Sequence, residues 1–291
     1  MKALKEYYEL TKSGLVFGNL IPVIAGFLLA SRGEPLDGTL FITTIIGICF
    51  VMASGCVLNN YIDTDIDALM DRTKDRVLVK RHITKKHALR FGYALGIIGF
   101  LMLAIFTNIT AFFLAFVGFF FYVCFYSLWW KRHSIYGVGI GAIAGAVPSV
   151  VGYCAVTNRF DMGALILFLI LLTWQMPHFF AIAIRRQKDY DVAGIPVMPL
   201  SAGLYRTKIS MFIYIIEFMI AASLLSVYGY TGYTYLVIVV FLGLSWIALS
   251  VKGFWVSGVK ANQLWARQMF LVSLCVLMVT FITISIEALR Y

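Results

Sequence analysis

Residues 59–76, NNYIDTDIDALMDRTKDR, follow a long apolar run and indicate what kind of protein this chain forms. Asn59, Asp63 and Asp67 are spaced by four positions, and on a helix each step of four rotates the side chain by only about 40°. The three side chains are therefore predicted to form one polar stripe, whereas Asp65 points to the opposite face. Such a stripe at the mouth of an apolar helix predicts a site for chemistry.

The same acids have two simpler interpretations. A charged helix end is often only solvated, and this alternative stays open from the stretch alone. A calcium loop also begins D-x-D-x-D, but it needs Gly at its sixth position and Glu at its twelfth. Ala68 and Lys74 stand there, which excludes the calcium loop.

The composition is that of a helical membrane protein. Of the 291 residues, 61% are hydrophobic and only 13% are charged, and apolar runs long enough to cross a bilayer recur along the whole length. We predict an all-α polytopic bundle around a central cavity open to the cytoplasmic side, with residues 1–291 forming one membrane-embedded domain. The predicted spans are 14–30, 39–58, 89–106, 110–130, 136–156, 161–183, 208–228, 233–251 and 265–286. The five cysteines lie inside these runs, which favours buried apolar roles over disulfides or metal binding.

The net charge of +10 is distributed unevenly across the predicted membrane. All of the 24 Lys and Arg residues except Arg32, Arg159 and Arg290 fall on the side of the N-terminus and the long loops. Because cytoplasmic loops carry an excess of basic residues, we predict a bacterial cytoplasmic (inner) membrane protein with its N-terminus inside and its C-terminus outside. The charge is then mainly a topology signal, and nucleic acid is not an expected partner.

A second polar cluster, WQMPHFFAIAIRRQKDYDVAGIPVMP at 174–199, ends the predicted sixth span. Pro177 removes a helix hydrogen bond and is expected to open space beside the helix. His178, Arg185 and Asp189 are predicted to share a face, at the depth of the first cluster, so that each half of the chain donates one motif to a shared cavity. For His178, a buried histidine hydrogen-bonded to a neighbouring helix stays open as the alternative.

The residue types of the two clusters suit a metal-bound diphosphate with a lipid tail. Carboxylate and amide oxygens are ligands that Mg²⁺ accepts, commonly together with a substrate phosphate, and basic side chains hold phosphate oxygens. The basic candidates are Arg72, Arg76, Lys131, Arg132, Arg185, Arg186 and Lys188. An allylic cation left by the departing diphosphate would need a dry cavity with aromatic faces, such as those of Tyr122, Tyr126 and Phe179. Ordinary packing is the alternative for each ring.

Two motifs carry a resemblance to a known family. N-N-x-x-D-x-x-x-D at 59–67 resembles the first aspartate motif of the UbiA-type intramembrane prenyltransferases. Its continuation through Arg72 and Arg76, with W-Q-x-P-H-F at 174–179 and the D-Y-x-x-A-G-x-P-x-M-P run at 189–199, is similar to the branch of that family that farnesylates haem. The resemblance spans most of the chain.

The resemblance implies that haem B, farnesyl diphosphate and water give haem O and diphosphate. A haem vinyl group would attack the farnesyl cation, and water would complete the product. By position, Asn59, Asp63 and Asp67 would hold Mg²⁺ and diphosphate, and Arg72 and Arg76 would grip the phosphates.

The second motif implies further roles. Asp189 would bind a second metal or orient a basic residue, and His178 would contact haem as an iron ligand or hydrogen-bond partner. The expected substrate-binding residues are Lys131, Arg132, Arg185, Lys188, Tyr190, His178, Gln175, Tyr122 and Tyr126. Haem B would be a substrate rather than a cofactor, and haem A synthase or terminal oxidase assembly would take up the product.

Two other functions stay open from the sequence. A prenyltransferase acting on a quinone precursor would be expected to carry aspartates where Q-x-P-H stands at 175–178. A non-enzymatic haem transport or assembly protein would use intramembrane polar groups, of which Glu217 in the predicted seventh span is the best suited. A hydrogen-bonded structural acid is the simpler interpretation of Glu217, and no role is assigned to it.

Overall fold

The computed structural model describes residues 2–290, and in that range it contains helices, turns and loops but no β-strand. The predicted all-α class is therefore confirmed. Nine stretches of the described residues are long and apolar enough to cross a membrane, as predicted. They are Ser13–Ala30, Gly38–Ile62, Lys85–Phe106, Ile109–His133, Gly137–Thr157, Met162–Arg185, Leu204–Val227, Tyr233–Trp255 and Val259–Ala288.

The helices are numbered in chain order. The helices of the first half are α1 Lys2–Leu10, α2 Ser13–Ala30, α3 Gly38–Ile62, α4 Thr64–Asp67, α5 Lys85–Phe106, α6 Ile109–Phe120 and α7 Lys131–His133. Those of the second half are α8 Gly137–Thr157, α9 Met162–Arg185, α10 Gln187–Val192, α11 Met198–Ser201, α12 Leu204–Val227, α13 Tyr233–Lys252 and α14 Val259–Ala288. A 3₁₀ turn, Gly253–Trp255, extends α13.

Small residues let the central helices approach closely. At the crossing of α2 and α8, a Cβ added to Gly26 would lie 2.3 Å from the Ser149 carbonyl oxygen, and one added to Gly152 would lie 2.2 Å from that of Val23. Backbone contact of this kind stabilises helix pairs in lipid through packing, because hydrophobic burial offers little there. The pair α2 and α8 forms one wall of the interior beside α3 and α9.

The fourth span changes its helical geometry halfway. The α6 helix continues at Phe121 as a π-helix, Phe121–Trp130, which is unusually long for that conformation. Inside it, the Ser127 hydroxyl donates to the Tyr122 carbonyl oxygen, five residues back, at 2.8 Å. This wider winding sets which side chains of the segment face α3.

Candidate functional site

The first motif lies where α3 ends. Asp63 leaves helical geometry as the C-terminal cap of α3, and the short helix α4 begins immediately after it. The Asp63 N–H still donates to the Asn59 carbonyl oxygen at 2.9 Å, and the Asp67 N–H donates to that of Asp63 at 2.8 Å. These hydrogen bonds preserve the four-residue register across the break. Asn59, Asp63 and Asp67 are all buried, whereas the side chains of Asp65 and Asp71 are 63% and 68% exposed.

Asp63, Asp65 and Asp67 each pair with a basic side chain. Lys131 pairs with Asp63, and Arg76 NH1 lies 2.5 Å from Asp67 Oδ2. The Arg132 guanidinium donates to both oxygens of Asp65 at 2.7 Å, which lowers the pKa of that carboxyl to about 2. Three of the predicted phosphate-binding cations therefore do reach the motif, where they neutralise its acids.

Asn59 joins the motif to two residues that the sequence argument did not assign to the site. Its Nδ2 donates to Asp63 Oδ2 at 2.8 Å and to Ser127 Oγ at 2.9 Å, while its Oδ1 accepts from Lys12 Nζ. Lys12 has φ +50°, a left-handed conformation that is uncommon outside glycine. Burial, and next the nearby charge of Arg76, lower the pKa of Lys12 to about 8. In the sequence, Lys12 is distinguished only as the last charged residue before the first apolar run.

A cavity of about 280 Å³, here called the polar chamber, is lined by the polar groups Lys12, Asn59, Asp67, Arg76 and Lys131. Its remaining lining includes Arg72 and Tyr190, both predicted from sequence, and the rings of Tyr122 and Tyr126. The two tyrosine rings stack with centroids 5.8 Å apart, and Lys131 Nζ lies 6.0 Å from the centre of the Tyr126 ring. Cations, acids and aromatic faces therefore share one enclosed space.

A second cavity, here called the apolar chamber, continues inward from the polar chamber. The two share Leu15, Tyr122, Gly141 and Phe179 as lining, which defines the junction between them. Beyond the junction, the wall is almost entirely apolar and includes Ile48, Val51, Met52, Ala115, Phe119 and Val147. Ile48, Val51 and Ala115 are each at most 3% exposed, so this end is closed by buried side chains. The arrangement offers one charged and one hydrocarbon compartment in series.

The second motif meets the first through Asp189. Its Oδ1 accepts from the Asp71 backbone N–H at 3.2 Å, and the two loops share an apolar cluster that includes Met70 and Ile195. The predicted common face of His178, Arg185 and Asp189 is wrong, because α9 ends at Arg185 and the chain turns before Asp189.

His178 and Arg185 instead face α14. The His178 Nδ1 lies 2.7 Å from Ser273 Oγ, and its ring lies 4.8 Å from those of both Trp174 and Phe270. The Arg185 guanidinium lies 5.2 Å from the centre of the Phe270 ring. This environment matches the alternative interpretation of His178 as a buried histidine that is hydrogen-bonded to a neighbouring helix. Neither residue lines the two chambers.

Three other polar residues of the sequence argument occupy different places. Gln175 is buried and lines the apolar chamber. Lys188 is exposed on α10, and Glu217 is exposed on α12; neither lines a chamber. The structure therefore divides the predicted residues into a chamber set and a peripheral set.

The residues present can be tested for their fit to a divalent cation. Among residues 2–290, no three His, Cys, Asp or Glu side chains are grouped closely enough to hold an ion by themselves. However, Asp63 Oδ1 and Asp189 Oδ2 are buried without a hydrogen-bond partner, and buried carboxylate oxygens normally have one. Mg²⁺ usually takes one or two carboxylates and completes its shell with water and phosphate. The donor set fits that pattern.

Comparison with known proteins gives a consistent family assignment. The model of the UbiA prenyltransferase family matches residues 19–274. A protein of Protochlamydia amoebophila (strain UWE25) named protoheme IX farnesyltransferase is 49% identical over 97% of this chain and 98% of its own length. A solved digeranylgeranylglyceryl phosphate synthase superposes with a TM-score of 0.81 at 19% identity, covering all of both chains. A UbiA homologue from Archaeoglobus fulgidus bound to DMAPP and Mg²⁺ superposes with a TM-score of 0.70 at 14% identity, over 97% of this chain and 99% of its own.

Proposed function

This chain belongs to the UbiA prenyltransferase family, and from that premise we propose that it farnesylates haem. In the proposed reaction, farnesyl diphosphate, a vinyl group of haem B and water give haem O and diphosphate. The observation that carries the proposal is the pair of chambers: a polar compartment lined by several cations and by Asp67 adjoins an apolar one. The farnesyl acceptor follows from the relative that is 49% identical over nearly the full length.

The polar chamber is proposed to hold the diphosphate. Asn59, Asp63, Asp67 and Asp189 would hold Mg²⁺, which when bound would neutralise charge on the diphosphate leaving group. Arg72, Arg76 and Lys131 would contact the phosphate oxygens. Lys131 and Arg76 pair with Asp63 and Asp67 in the structure, and with Mg²⁺ bound to these carboxylates both basic side chains would be available for phosphate. The site thus exchanges one set of ion pairs for another and leaves no buried charge unpaired.

Arg132 is proposed as a positioning residue, although the sequence suggested substrate binding. Its NH2 group donates to the Ile62 carbonyl oxygen at 2.8 Å, and its fork holds Asp65. It therefore satisfies the end of α3 and fixes the backbone from which Asp63 projects. Its NH2 lies 3.8 Å from Asp63 Oδ1.

The farnesyl chain is proposed to lie in the apolar chamber, with its reacting carbon at the junction. Tyr122 lies at the junction and stacks with Tyr126 of the polar chamber, and an aromatic face stabilises an adjacent cation by about 0.5–2 kcal/mol. The apolar wall keeps bulk water away from the allylic cation, which would otherwise be trapped before the acceptor reacts. The arrangement supports departure of diphosphate and protection of the cation in one site.

The remaining roles are proposals that follow from the family. His178 is kept as a candidate haem contact, with Arg185 and Lys188 as candidate contacts for the acidic groups of haem. His178 and Arg185 lie on α9 and contact α14, so these contacts would put haem on the α9 side of the junction. The N-terminus and the opening of the polar chamber are proposed to face the cytoplasm of a bacterial cell, and haem A synthase or terminal oxidase assembly would use the product.

The test compares acceptors directly. Purified protein is supplied with Mg²⁺ and farnesyl diphosphate together with either haem B or an aromatic quinone precursor, and the products are identified by mass. The proposal predicts a farnesylated haem and no farnesylated quinone precursor. A product with the quinone precursor alone would overturn it.

A further inference from the structure

The apolar chamber contains two side-chain amides that the diphosphate chemistry does not use. Gln175 is 5% exposed and Asn19 is partly buried, and both line the chamber. Gln175 Nε2 donates to the carbonyl oxygens of Ala142 at 3.2 Å and Leu171 at 3.0 Å, and Asn19 Nδ2 donates to that of Leu15 at 2.9 Å. Because each amide nitrogen is committed to a carbonyl oxygen, the orientation of each amide is determined.

The amide oxygens are left without donors. Among the side chains described, none donates to Gln175 Oε1 or Asn19 Oδ1. Neither oxygen is among the fully buried side-chain atoms that lack a partner, so each is accessible to a bound molecule that can donate a hydrogen bond. Gly145 makes the room for the Gln175 oxygen, since a Cβ at that position would lie 2.1 Å from Oε1. Two acceptors that face an otherwise apolar space match the needs of a bound water.

The amides lie at one level below the junction. Asn19 follows the junction residue Leu15 by four positions on α2, and Gln175 precedes the junction residue Phe179 by four on α9. Four residues rise about 6 Å along a helix. Both amides therefore lie one turn from the place where the proposed function puts the reacting carbon of the farnesyl chain.

We propose that Asn19 and Gln175 hold the water molecule that is added during the reaction, an inference that rests on the proposed function. The water donates its two hydrogens to Asn19 Oδ1 and Gln175 Oε1, which turns an oxygen lone pair toward the junction. A site with two hydrogen-bond acceptors and no general base suits this step. The water attacks a carbocation, so it needs to be oriented more than it needs to be deprotonated first.

The bonds balance without another reactant. The C1–O bond of farnesyl diphosphate breaks and its electron pair leaves with diphosphate. The vinyl π pair forms the new carbon–carbon bond to C1, which leaves a cation on the vinyl carbon attached to the porphyrin ring. The held water forms the carbon–oxygen bond, and the proton it loses passes to the diphosphate. Without that water, the same cation loses a proton from the neighbouring carbon and becomes an alkene.

The test measures the ratio of two products by mass, since the alkene adduct is one water lighter than haem O. Asn19→Leu and Gln175→Leu each remove an acceptor, and Gly145→Ala displaces the Gln175 oxygen without changing that side chain. We expect all three to shift the product from haem O toward the lighter adduct while diphosphate release continues. Thr173→Val changes α9 two residues before Gln175, at a buried position that lines neither chamber, and it should give haem O alone.

Three outcomes separate the possibilities. A product of full mass from the variants, with only the total yield reduced, would overturn the inference and leave the proposed function standing. A shift toward the lighter adduct in Thr173→Val as large as in the amide variants would assign the effect to packing and overturn the inference. No farnesylated haem of either mass from the unaltered, folded protein would refute the proposed function and the inference with it.

Discussion

Replacing Asp63 with asparagine should separate the charge of this carboxylate from its shape. The Asp63 side chain is fully buried, and its partner Lys131 is 15% exposed. Removing one member of a buried pair leaves the other charge uncompensated, which typically costs about 3–5 kcal/mol. We expect the low end of that range for Asp63→Asn because Lys131 keeps some access to water. The thermal midpoint in detergent should fall by several degrees.

The turnover of Asp63→Asn should fall by more than its loss of stability explains. The amide introduced by Asp63→Asn would offer one neutral oxygen where the carboxylate offers two, including the unpartnered Oδ1. Loss of one preorganised electrostatic group at a reacting centre typically lowers the rate by about 10²–10³-fold. Diphosphate release, measured at saturating Mg²⁺ and farnesyl diphosphate on protein shown to be folded, reports this loss.

A double variant distinguishes the two effects. Asp63→Asn with Lys131→Met removes both charges, so the thermal midpoint should recover much of its loss while turnover stays low. Asp75→Asn is the matched control, because that acid is 72% exposed, pairs with Lys80 at 2.9 Å and has no role in the proposed site; exposed pairs contribute at most about 1 kcal/mol. Ordinary turnover in Asp63→Asn, or recovery of turnover in the double variant, would refute the reasoning.

Three further predictions follow from individual contacts. Lys12 lines the polar chamber, and its pKa is lowered to about 8, so it loses its charge as the pH rises through that value and the KM for farnesyl diphosphate should increase above pH 8; Lys12→Arg should abolish this increase, and an identical pH profile would show that the Lys12 charge does not contribute to binding in the chamber. If His178 contacts haem, His178→Ala should weaken haem binding more than Ser273→Ala, which removes only its hydrogen-bond partner; equal effects in a haem titration would point to packing alone. Glu287 is buried and accepts from the backbone N–H groups of Gly232 and Tyr235 at the start of α13, so Glu287→Ala should cost about 1–3 kcal/mol in thermal unfolding and Glu287→Gln less, with the turnover of folded protein unchanged; a loss of turnover without a loss of stability would disprove this structural role.

Hydropathy predicted the membrane spans well and their ends less well. The second span was predicted as 39–58 and extends over Gly38–Ile62, and the last was predicted as 265–286 and extends over Val259–Ala288. In both, the helix continues into polar residues that no longer raise the hydropathy. Apolar length determines whether a helix crosses the membrane, but caps and tertiary contacts determine where it stops.

The candidate site was predictable where periodicity carried the information. The burial of Asn59, Asp63 and Asp67 follows from their spacing of four, which survived a break in the helix. The spacing of His178 and Asp189 was misleading because α9 ended between them. Ser127 reached the site through a π-helix in a stretch whose apolar sequence is equally compatible with an α-helix.

The central claim is that the two chambers couple loss of diphosphate to farnesylation of haem. The most direct measurement follows released diphosphate and newly formed haem O together in one reaction that contains the protein, Mg²⁺, farnesyl diphosphate and haem B. The account predicts that both appear in equal amounts and that both require Mg²⁺. Diphosphate release that leaves haem B unchanged, or haem O formation that is insensitive to removal of divalent cations, would contradict it.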